Sequence, residues 1–389
     1  MYRKIMHHAS RFILIFLMTI TTYLCSDRVQ GDDFNIIPSV TLKQEYNDNV
    51  FFSEKDKTND FITTLSPELE LIEKTERMDA RLSGQLDRIA HAEKDELDAL
   101  DYNFKGQVDY RLTERLRVFS KAVYKKDSRR DRDMEDTGLI TLGTSDRDRY
   151  HYAFSGNYLV SEKTGVALLY AYDQDDPESS DYRSHSINLG LTHHLGEFIP
   201  LTIGRMNFGY ARHDFTDTSV DNYSWTSGGS WQMSETTSLV VDFGGRYTLF
   251  EYQLLPYYTE KNETWGIKGS IDLSYSGELT NWKLSFSQDV RAASGSGGTT
   301  ERTVLGFDIG KRFTEEFRGN LSARYYLNQS DRENDETHSL RINPRIRYHF
   351  TRDIILETSC VFNAVREDDT NVMQNLVLVR FIFQYPLFE

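Results

Sequence analysis

Hydrophobic and polar residues alternate one by one over long stretches of this chain. In segment 100–112, apolar or aromatic residues and one glycine occupy the even positions from Leu100 to Leu112, and charged or amide residues occupy the odd positions from Asp101 to Arg111. The same alternation recurs at 78–87, 320–328 and 340–350. Successive side chains of a strand point to opposite faces of its sheet. The pattern therefore predicts strands with one apolar face and one strongly polar face.

The length of these segments separates two folds that share the alternation. A soluble β-sandwich would also alternate, because it buries the apolar face of each sheet. Here the segments run about 10–14 residues, which suits tilted membrane strands and exceeds the length of about five or six residues that is usual in soluble sheets. Aromatic residues such as Tyr102 and Tyr110 lie near segment ends, as the interfacial girdle of a membrane barrel requires. These features favour the barrel.

Short polar turns punctuate the segments at intervals of roughly 34–48 residues, and several combine an apolar residue, a threonine or serine, and one or two charged residues. They lie at 73–77, 112–116, 160–164, 195–197, 233–237, 279–282, 313–317 and 350–354. Longer acidic connections are expected between them, at 54–59, 173–181, 253–262, 328–336 and 366–371. Short turns at one end and longer loops at the other are the asymmetry of outer-membrane barrels.

The strand number follows from the turns. Eight turns join sixteen strands, and one further strand precedes them (about 36–46) and one follows them (about 374–386). We predict an all-β, transmembrane antiparallel up-and-down β-barrel of about eighteen strands, with sixteen as the next alternative. Both termini would lie at the periplasmic end with the short turns, and the longer acidic loops would be extracellular. The alternating aromatic residues before Phe388 resemble the terminal signal for barrel assembly, although Glu389 follows them.

Composition fits this picture once the apolar faces point outward. The chain has only 7 prolines but 23 tyrosines and 23 phenylalanines, and aromatic residues fit pleated surfaces. Lipid offers the backbone no hydrogen bonds, so a spanning sheet must close on itself. The polar faces then line the interior, which explains how a chain with a mean hydropathy of -0.56 can cross a membrane.

Residues 1–31 have the features of a secretory signal peptide. Arg3, Lys4 and Arg11 precede an apolar run of about 13 residues, which is too short to span a bilayer as a helix. We place cleavage after Gly31, which leaves 32–389 as a single barrel domain in the cell outer membrane. Cys25 leaves a lipoprotein as an alternative, although the small residue expected before a lipidated cysteine is missing.

Residues 38–69 contain the most specific local sequence motif of the chain. The first predicted strand opens with Pro38-Ser39, an aromatic-x-Asp-Asn turn follows at 46–49, and Ser66-Pro67 lies in the second strand. This motif resembles that of the β-barrel porin 2 family, whose members are exopolysaccharide- and exosortase-associated outer-membrane β-barrel proteins. The resemblance implies an outer-membrane barrel linked to polysaccharide export, and the family has no catalytic residues to carry over.

The polar faces supply ten basic candidates for lining the lumen. They are Lys105, Arg111, Arg117, Lys121, Arg291, Arg324, Arg341, Arg345, Arg347 and Arg380. A ring or ladder of arginines would attract anionic solutes or uronate-rich glycans, as charged rings do in pores. The alternative is that these residues form cross-strand ion pairs that only satisfy a polar interior.

The segment 126–147 is the longest connection and the third at the outward end. It begins with a run of charged residues and then contains Leu139-Ile140-Thr141-Leu142, which is apolar enough to tuck into the lumen. One hypothesis is therefore a constriction built by this loop. A plain extracellular loop is the other.

The sequence gives little support for metal binding, catalysis or nucleic-acid binding. His185 and His193 would share one face of a strand but stand about 27 Å apart, too far to hold one ion together. We predict no cofactor, no metal and no enzyme activity, and the net charge of -15 excludes nucleic acid as a partner. The expected partners are outer-membrane lipid and lipopolysaccharide, periplasmic chaperones and the barrel-assembly machinery, and anionic polysaccharide or small hydrophilic solutes. The predicted function is a porin-like channel or an export-associated barrel, with a closed scaffold barrel and an outer-membrane hydrolase as alternatives.

Overall fold

The computed structural model describes residues 33–129, 133–135, 137–140, 147–176, 182–255, 258–293, 298–330, 336–367 and 370–387. The predicted signal peptide at 1–31 lies outside these residues. Within them the only helical element is one 3-10 turn at Asp95–Leu97, so no helix there is long and apolar enough to cross a membrane.

The described residues form eighteen strands, which confirms the predicted number. They are β1 (Asp33–Asn47), β2 (Asp60–Lys74), β3 (Met78–His91), β4 (Ala99–Arg111), β5 (Leu116–Asp127), β6 (Arg147–Leu159), β7 (Thr164–Asp176), β8 (Tyr182–His194), β9 (Thr202–Asp214), β10 (Thr218–Gln232), β11 (Thr237–Leu255), β12 (Tyr258–Ser276), β13 (Thr280–Ala293), β14 (Gly298–Arg312), β15 (Phe317–Ser330), β16 (Glu336–His349), β17 (Ile354–Glu367) and β18 (Thr370–Gln384).

Each strand pairs antiparallel with the next, and the sheet closes between β18 and β1. The closing register runs from Ser39 opposite Gln384 to Asn47 opposite Leu376. Asp33 pairs with Lys74, which borders the first short turn, so β1 begins at the short-turn end. The last strand ends at the same end, as the sequence predicts.

The outer surface of the barrel is apolar. Large hydrophobic side chains are exposed on strands around the circumference, among them Phe61, Phe154, Trp225, Phe243 and Phe381. Their neighbours along each strand point to the other face and are largely polar. In water such a continuous apolar surface would be strongly unfavourable, whereas a bilayer buries it and the closed sheet satisfies the backbone. The barrel is therefore a transmembrane one.

Local chemistry explains why the turn sequences repeat. In six of the short turns the serine or threonine hydroxyl accepts a hydrogen bond from the backbone N–H three residues later. Ser and Thr favour turns because they make such local bonds. In one of these turns Thr314 Oγ1 also donates to the Glu316 carboxylate at 2.8 Å, and this bond lowers the pKa of Glu316 below its ordinary value.

The other end of the barrel has connections of very different lengths. Residues 48–59 and 92–98 form long loops between strands, and the longest connection, from 128 to 146, joins β5 to β6. Much of the segment expected to be a loop at 253–262 is instead strand, because β11 and β12 continue to pair as far as Leu255 and Tyr258. The charged residues there pair across the hairpin, as Lys261 does with Glu251. Acidic residues are therefore found both in loops and at the ends of strands that extend into water.

Candidate functional site

Strands β15, β16, β18 and β1 carry a row of basic residues on the polar face. Arg324 lies opposite Arg341, and Arg347 lies opposite Glu357. Across the closure of the barrel, Arg380 of β18 lies opposite Lys43 of β1. The apolar Ile346 between Arg345 and Arg347 points the other way and is half exposed on the outer surface. One sector of the interior wall is therefore rich in arginine.

Glu357 is the centre of this sector, which we call the arginine wall. Its carboxylate is 1% exposed and accepts hydrogen bonds from Arg347 at 2.6 Å and from Arg380 at 3.0 Å. Arg345 Nε lies 3.7 Å from the same carboxylate. A single negative charge thus faces three positive charges, so the cluster retains positive charge toward the lumen.

The other predicted lumen residues lie in a different environment. Lys105, Arg111, Arg117 and Lys121 lie on β4 and β5, where aspartates share the same face. Arg117, for instance, donates to Asp109 at 2.5 Å. The side chain of Arg291, on β13, lies outside the described residues. The structure therefore brings together Arg324, Arg341, Arg345, Arg347 and Arg380 and places the β4–β5 group four to eight strands away, among acids.

The loop between β5 and β6 crosses the interior of the barrel. Near its start, the Ser128 N–H bonds to Asp101 on β4 at 3.1 Å. Further on, Asn328 Nδ2 of β15 donates to the Thr137 carbonyl at 3.0 Å, and Ser339 of β16 donates to the Gly138 carbonyl. Strand β15 lies nine strands from β6, where the loop ends, in an eighteen-stranded barrel. The loop therefore reaches the opposite wall.

Buried groups hold the loop in this position. The Met134 side chain is fully buried, and Asp133 accepts a hydrogen bond from Arg147 at 2.6 Å. Arg147 is itself fully buried and also bonds to Asp175 of β7, so its charge is compensated by two carboxylates. Breaking such a pair leaves an uncompensated buried charge, which is strongly unfavourable.

The contact with the far wall depends on one glycine. Gly138 has a φ of 69°, a left-handed conformation that residues other than glycine rarely adopt. A Cβ atom at this position would lie 2.4 Å from the ring of Tyr326. The Tyr326 hydroxyl in turn donates to the Glu135 carbonyl. The backbone of the loop can therefore lie directly against β15.

These contacts support the constriction hypothesis rather than a plain extracellular loop. Leu139 and Ile140, which suggested that the loop tucks inward, are partly buried, and residues 141–142 lie outside the described residues. Asp133, Met134 and Arg147, which hold the loop in position, were not identified from the sequence. Their only signal was the high density of alternating charges at both ends of the loop.

Two cavities border the loop. One has a volume of about 640 Å³ and is lined by polar residues of β5–β10 and β12–β14, including Arg149, which binds Asp133 of the loop. The second, of about 300 Å³, lies beside β1–β4 and is lined by Ser128 and Arg129 of the loop itself. Arg129 lies 3.7 Å from Glu45 on β1. Both cavities therefore lie beside the described part of the loop, inside the barrel.

His185 and His193, which share one face of β8, make separate contacts with hydroxyl groups. His185 Nδ1 is 2.9 Å from the Tyr170 hydroxyl, and His193 Nδ1 is 2.9 Å from Thr164 Oγ1. In the part of the chain that the structure describes, no group of three or more His, Cys, Asp or Glu side chains is placed to hold a metal ion.

Taken together, the closed sheet, apolar exterior, polar interior and inward loop define a transmembrane β-barrel with a narrowed lumen. No protein-family model matches the sequence, so the resemblance of residues 38–69 to the β-barrel porin 2 family stays a prediction. No curated protein matches it either.

Solved structures that resemble the chain include outer-membrane proteins of two bacteria. OccK2 (OpdF) of Pseudomonas aeruginosa has a TM-score of 0.49 at 10% identity, covering 92% of this chain and 100% of that one. OccAB1 of Acinetobacter baumannii has a TM-score of 0.49 at 11% identity, covering 93% and 99%. OccAB4 of the same organism has a TM-score of 0.48 at 10% identity, covering 92% of this chain and 99% of that one. The assignment of the fold rests on the strand pairing itself.

Proposed function

We propose that this chain is a porin-like channel of the outer membrane that passes small anionic hydrophilic solutes. The observation that carries the proposal is the arginine wall, where Arg345, Arg347 and Arg380 share one carboxylate inside a lumen that the β5–β6 loop narrows. Closed strand barrels with an apolar exterior are the architecture of outer-membrane proteins.

The charge of the arginine wall favours this class of solute. The side chains of Arg345, Arg347 and Arg380 are 33–41% exposed, so their guanidinium groups meet the water of the lumen. A wall of one sign of charge raises the local concentration of oppositely charged solutes, and charged rings select ions in pores. Guanidinium groups also bind carboxylates and phosphates through paired hydrogen bonds.

A uronate-rich polysaccharide is the second candidate for the cargo. It is favoured by the resemblance of residues 38–69 to exopolysaccharide-associated barrels, and its carboxylates would meet the same arginines. In either case we propose that outer-membrane lipid and lipopolysaccharide surround the barrel and that the periplasmic chaperones and assembly machinery deliver it.

Conductance in planar bilayers tests the channel. We expect the wild-type protein to form ion-conducting pores and deletion of 130–145 to raise the single-channel conductance, because the loop narrows the lumen. If the protein inserts into the bilayer but never conducts ions, the barrel is a closed scaffold. An unchanged conductance after the deletion would show that the loop does not set the narrowest section.

Ion selectivity tests the arginine wall. The double variant R345Q/R347Q should lower the permeability of anions relative to cations, since it removes two positive charges beside Glu357. The variant K105Q/K121Q removes two positive charges from β4 and β5, where aspartates share the same face, and serves as the matched control. Equal effects of the two variants would mean that total charge, and not the arginine wall, sets selectivity. Adding short uronate oligosaccharides should block wild-type current if the cargo is a glycan.

A further inference from the structure

The smaller of the two cavities lies at the end of the barrel opposite the short turns. Three connections border it: Val50 and Phe52 belong to the connection between β1 and β2, Leu97 to the 3-10 turn, and Ser128 and Arg129 to the β5–β6 loop. The inward faces of β1, β2, β3 and β18, together with the first residue of β4, complete its lining. We call this space of about 300 Å³ the mouth cavity. The mouths of β-barrels are preferred places for ligand sites.

Apolar side chains line the mouth cavity, although lipid does not reach this side of the barrel wall. Val50, Phe52, Ile62 and Ile89 are only 4–8% exposed. Ile62 follows the outward Phe61 and occupies an inward position, which in a membrane barrel is ordinarily polar. Side chains that serve only packing leave few voids larger than a water molecule. Here they border a space of about 300 Å³, so the arrangement favours a bound molecule with an apolar body.

The turn that places Phe52 in this lining is held by Asn49. Phe52 has a φ of 53°, a left-handed conformation that bulky residues rarely adopt and that persists only where the surrounding structure holds it. The Asn49 side chain is fully buried, accepts a hydrogen bond from the Ser53 N–H at 2.9 Å and donates to the Met373 carbonyl of β18 at 3.0 Å. The aromatic-x-Asp-Asn motif at 46–49 thus fixes the aromatic side of the mouth cavity.

Two polar groups of the lining are available to a ligand. Thr64 is 5% exposed, and its Oγ1 has no hydrogen-bond partner in the part of the chain that the structure describes. His91 Nδ1 lies 3.0 Å from the carboxylate of Asp60, which also accepts a hydrogen bond from the Glu93 N–H at 3.0 Å. Because a carboxylate only accepts, Nδ1 carries the proton, and Nε2 of the neutral ring is an acceptor. A buried hydroxyl without a partner is unfavourable, so a ligand that bonds to Thr64 gains affinity.

The strand register places these two groups where one ligand atom can meet both. Ile62 pairs with His91, and Thr64 pairs with Ile89, so Thr64 and His91 are diagonal neighbours on the inward face. Diagonal neighbours stand about 7–8 Å apart, which leaves room for one oxygen atom between the two side chains. The two isoleucines occupy the other diagonal. A hydroxyl group would therefore lie between Thr64 and His91 with apolar surface on both sides of it.

The charges of the lining exclude an ionic ligand. Most of the charged side chains already face a side chain of the opposite sign. The pairs are Lys43 and Arg129 with Glu45, His91 with Asp60, and Asp98 with Arg88. The remaining charged residue of the lining, Glu96, is exposed to solvent. A buried ion would lack a counter-charge, and a sugar with several hydroxyls would leave most of them unsatisfied against the apolar lining.

We propose that the mouth cavity binds a small uncharged phenol. A volume of about 300 Å³ is at the lower end for ligand sites and suits a molecule with one ring. The phenol hydroxyl donates to His91 Nε2 and accepts from Thr64, while the ring lies against Ile62, Ile89 and the aromatic ring of Phe52. This site is separate from the arginine wall, and it takes a ligand without the negative charge of the solutes proposed for the lumen.

Fluorine NMR of 4-fluorophenol with the purified barrel in detergent tests the site. We expect saturable binding to the wild type and an affinity about three- to tenfold lower in T64V, because one hydrogen bond is lost. The variant keeps the shape of the side chain, and it should fold because Oγ1 has no partner among the described residues. The matched control is T63V on the outward face of the same strand, which should bind as the wild type does. An absence of saturable binding to the wild type overturns the proposal, and so do equal affinities of the wild type and T64V.

Two analogues test the chemistry of the ligand. Fluorobenzene has no hydroxyl group and should bind equally to the wild type and T64V, so weaker binding to T64V would refute the hydroxyl contact. The anion 4-fluorobenzoate should bind more weakly than 4-fluorophenol. Equal binding of the two would refute the preference for an uncharged ligand.

The variant R345Q/R347Q separates the mouth cavity from the channel. It should leave the affinity for 4-fluorophenol unchanged, and a loss of affinity would place the binding site at the arginine wall instead. The lumen conductance of T64V should equal that of the wild type. Weaker phenol binding at unchanged conductance therefore supports this site whatever solute the lumen passes, and phenol binding to a barrel that does not conduct would leave the site standing without the channel.

Discussion

Replacing Glu357 by glutamine removes the single negative charge at the centre of the arginine wall while keeping the size of the side chain. The three arginines around it would then repel one another without compensation. We expect the barrel to lose stability, because the carboxylate is almost completely buried and its partners are fixed on the two neighbouring strands, β16 and β18.

The contact distances set the size of the loss. Arg347 and Arg380 donate to the carboxylate at 2.6 and 3.0 Å, and Arg345 lies at 3.7 Å. At the dielectric of water one contact near 3 Å is worth about 1.4 kcal/mol, and removing one partner of a buried pair costs about 3–5 kcal/mol. Because the arginines are 33–41% exposed to the lumen, we expect the lower end, about 3 kcal/mol in the free energy of unfolding.

Urea unfolding of the barrel in lipid vesicles, followed by tryptophan fluorescence, measures this loss. The matched control is Asp308→Asn, which breaks one ion pair with Arg324 at 2.6 Å between side chains that are 40% and 29% exposed. Exposed pairs contribute about 0–1 kcal/mol, so the control should change little. If E357Q costs no more than D308N, the reasoning that Glu357 ties the arginine wall together is wrong.

Two glycine substitutions test the close approaches. Gly138→Ala should raise single-channel conductance, because the added methyl group and the φ of 69° push the loop away from Tyr326; a conductance equal to wild type would contradict the docking of the loop. Gly228→Ala should prevent the barrel from folding, since its Cβ atom would lie 1.8 Å from the Val241 carbonyl oxygen, and the folded fraction on an unheated gel measures this. Gly156→Ala is the control for both, because nothing lies within 4 Å of its Cβ position, and a comparable effect there would remove the steric explanation.

The strands and their number could be predicted from the sequence because the information is local. Alternation is a property of neighbouring residues, and the hydroxyl of Thr75 or Thr314 bonds to a backbone N–H only three residues away. Each turn therefore carries its own signal. The ends of the strands were harder to place, since charged residues such as Glu251 and Lys261 suit both a loop and a strand that has left the bilayer.

The interior contacts could not be predicted, because they join residues that are far apart in the chain. Closure between β18 and β1 places Lys43 beside Arg380, and no local pattern indicates this. The sequence identified the arginines of the last strands, but the sharing of Glu357 among three of them depends on strand register. Arg246 reaches Glu301 only because the ladder between β12 and β13 stops, which the regular alternation of both strands conceals.

The crossing of the loop also constrains the order in which the protein can form. The hydrogen bonds that seat the loop on the far wall join residues separated by 191 and 201 positions in the chain. Contacts so distant in sequence are slow to form, because a long chain segment must be ordered first. The loop is made early, yet its docking sites exist only after β15 and β16 have joined the sheet. The pore therefore acquires its final bore at the end of assembly, and an incompletely assembled barrel would be wider than the finished one.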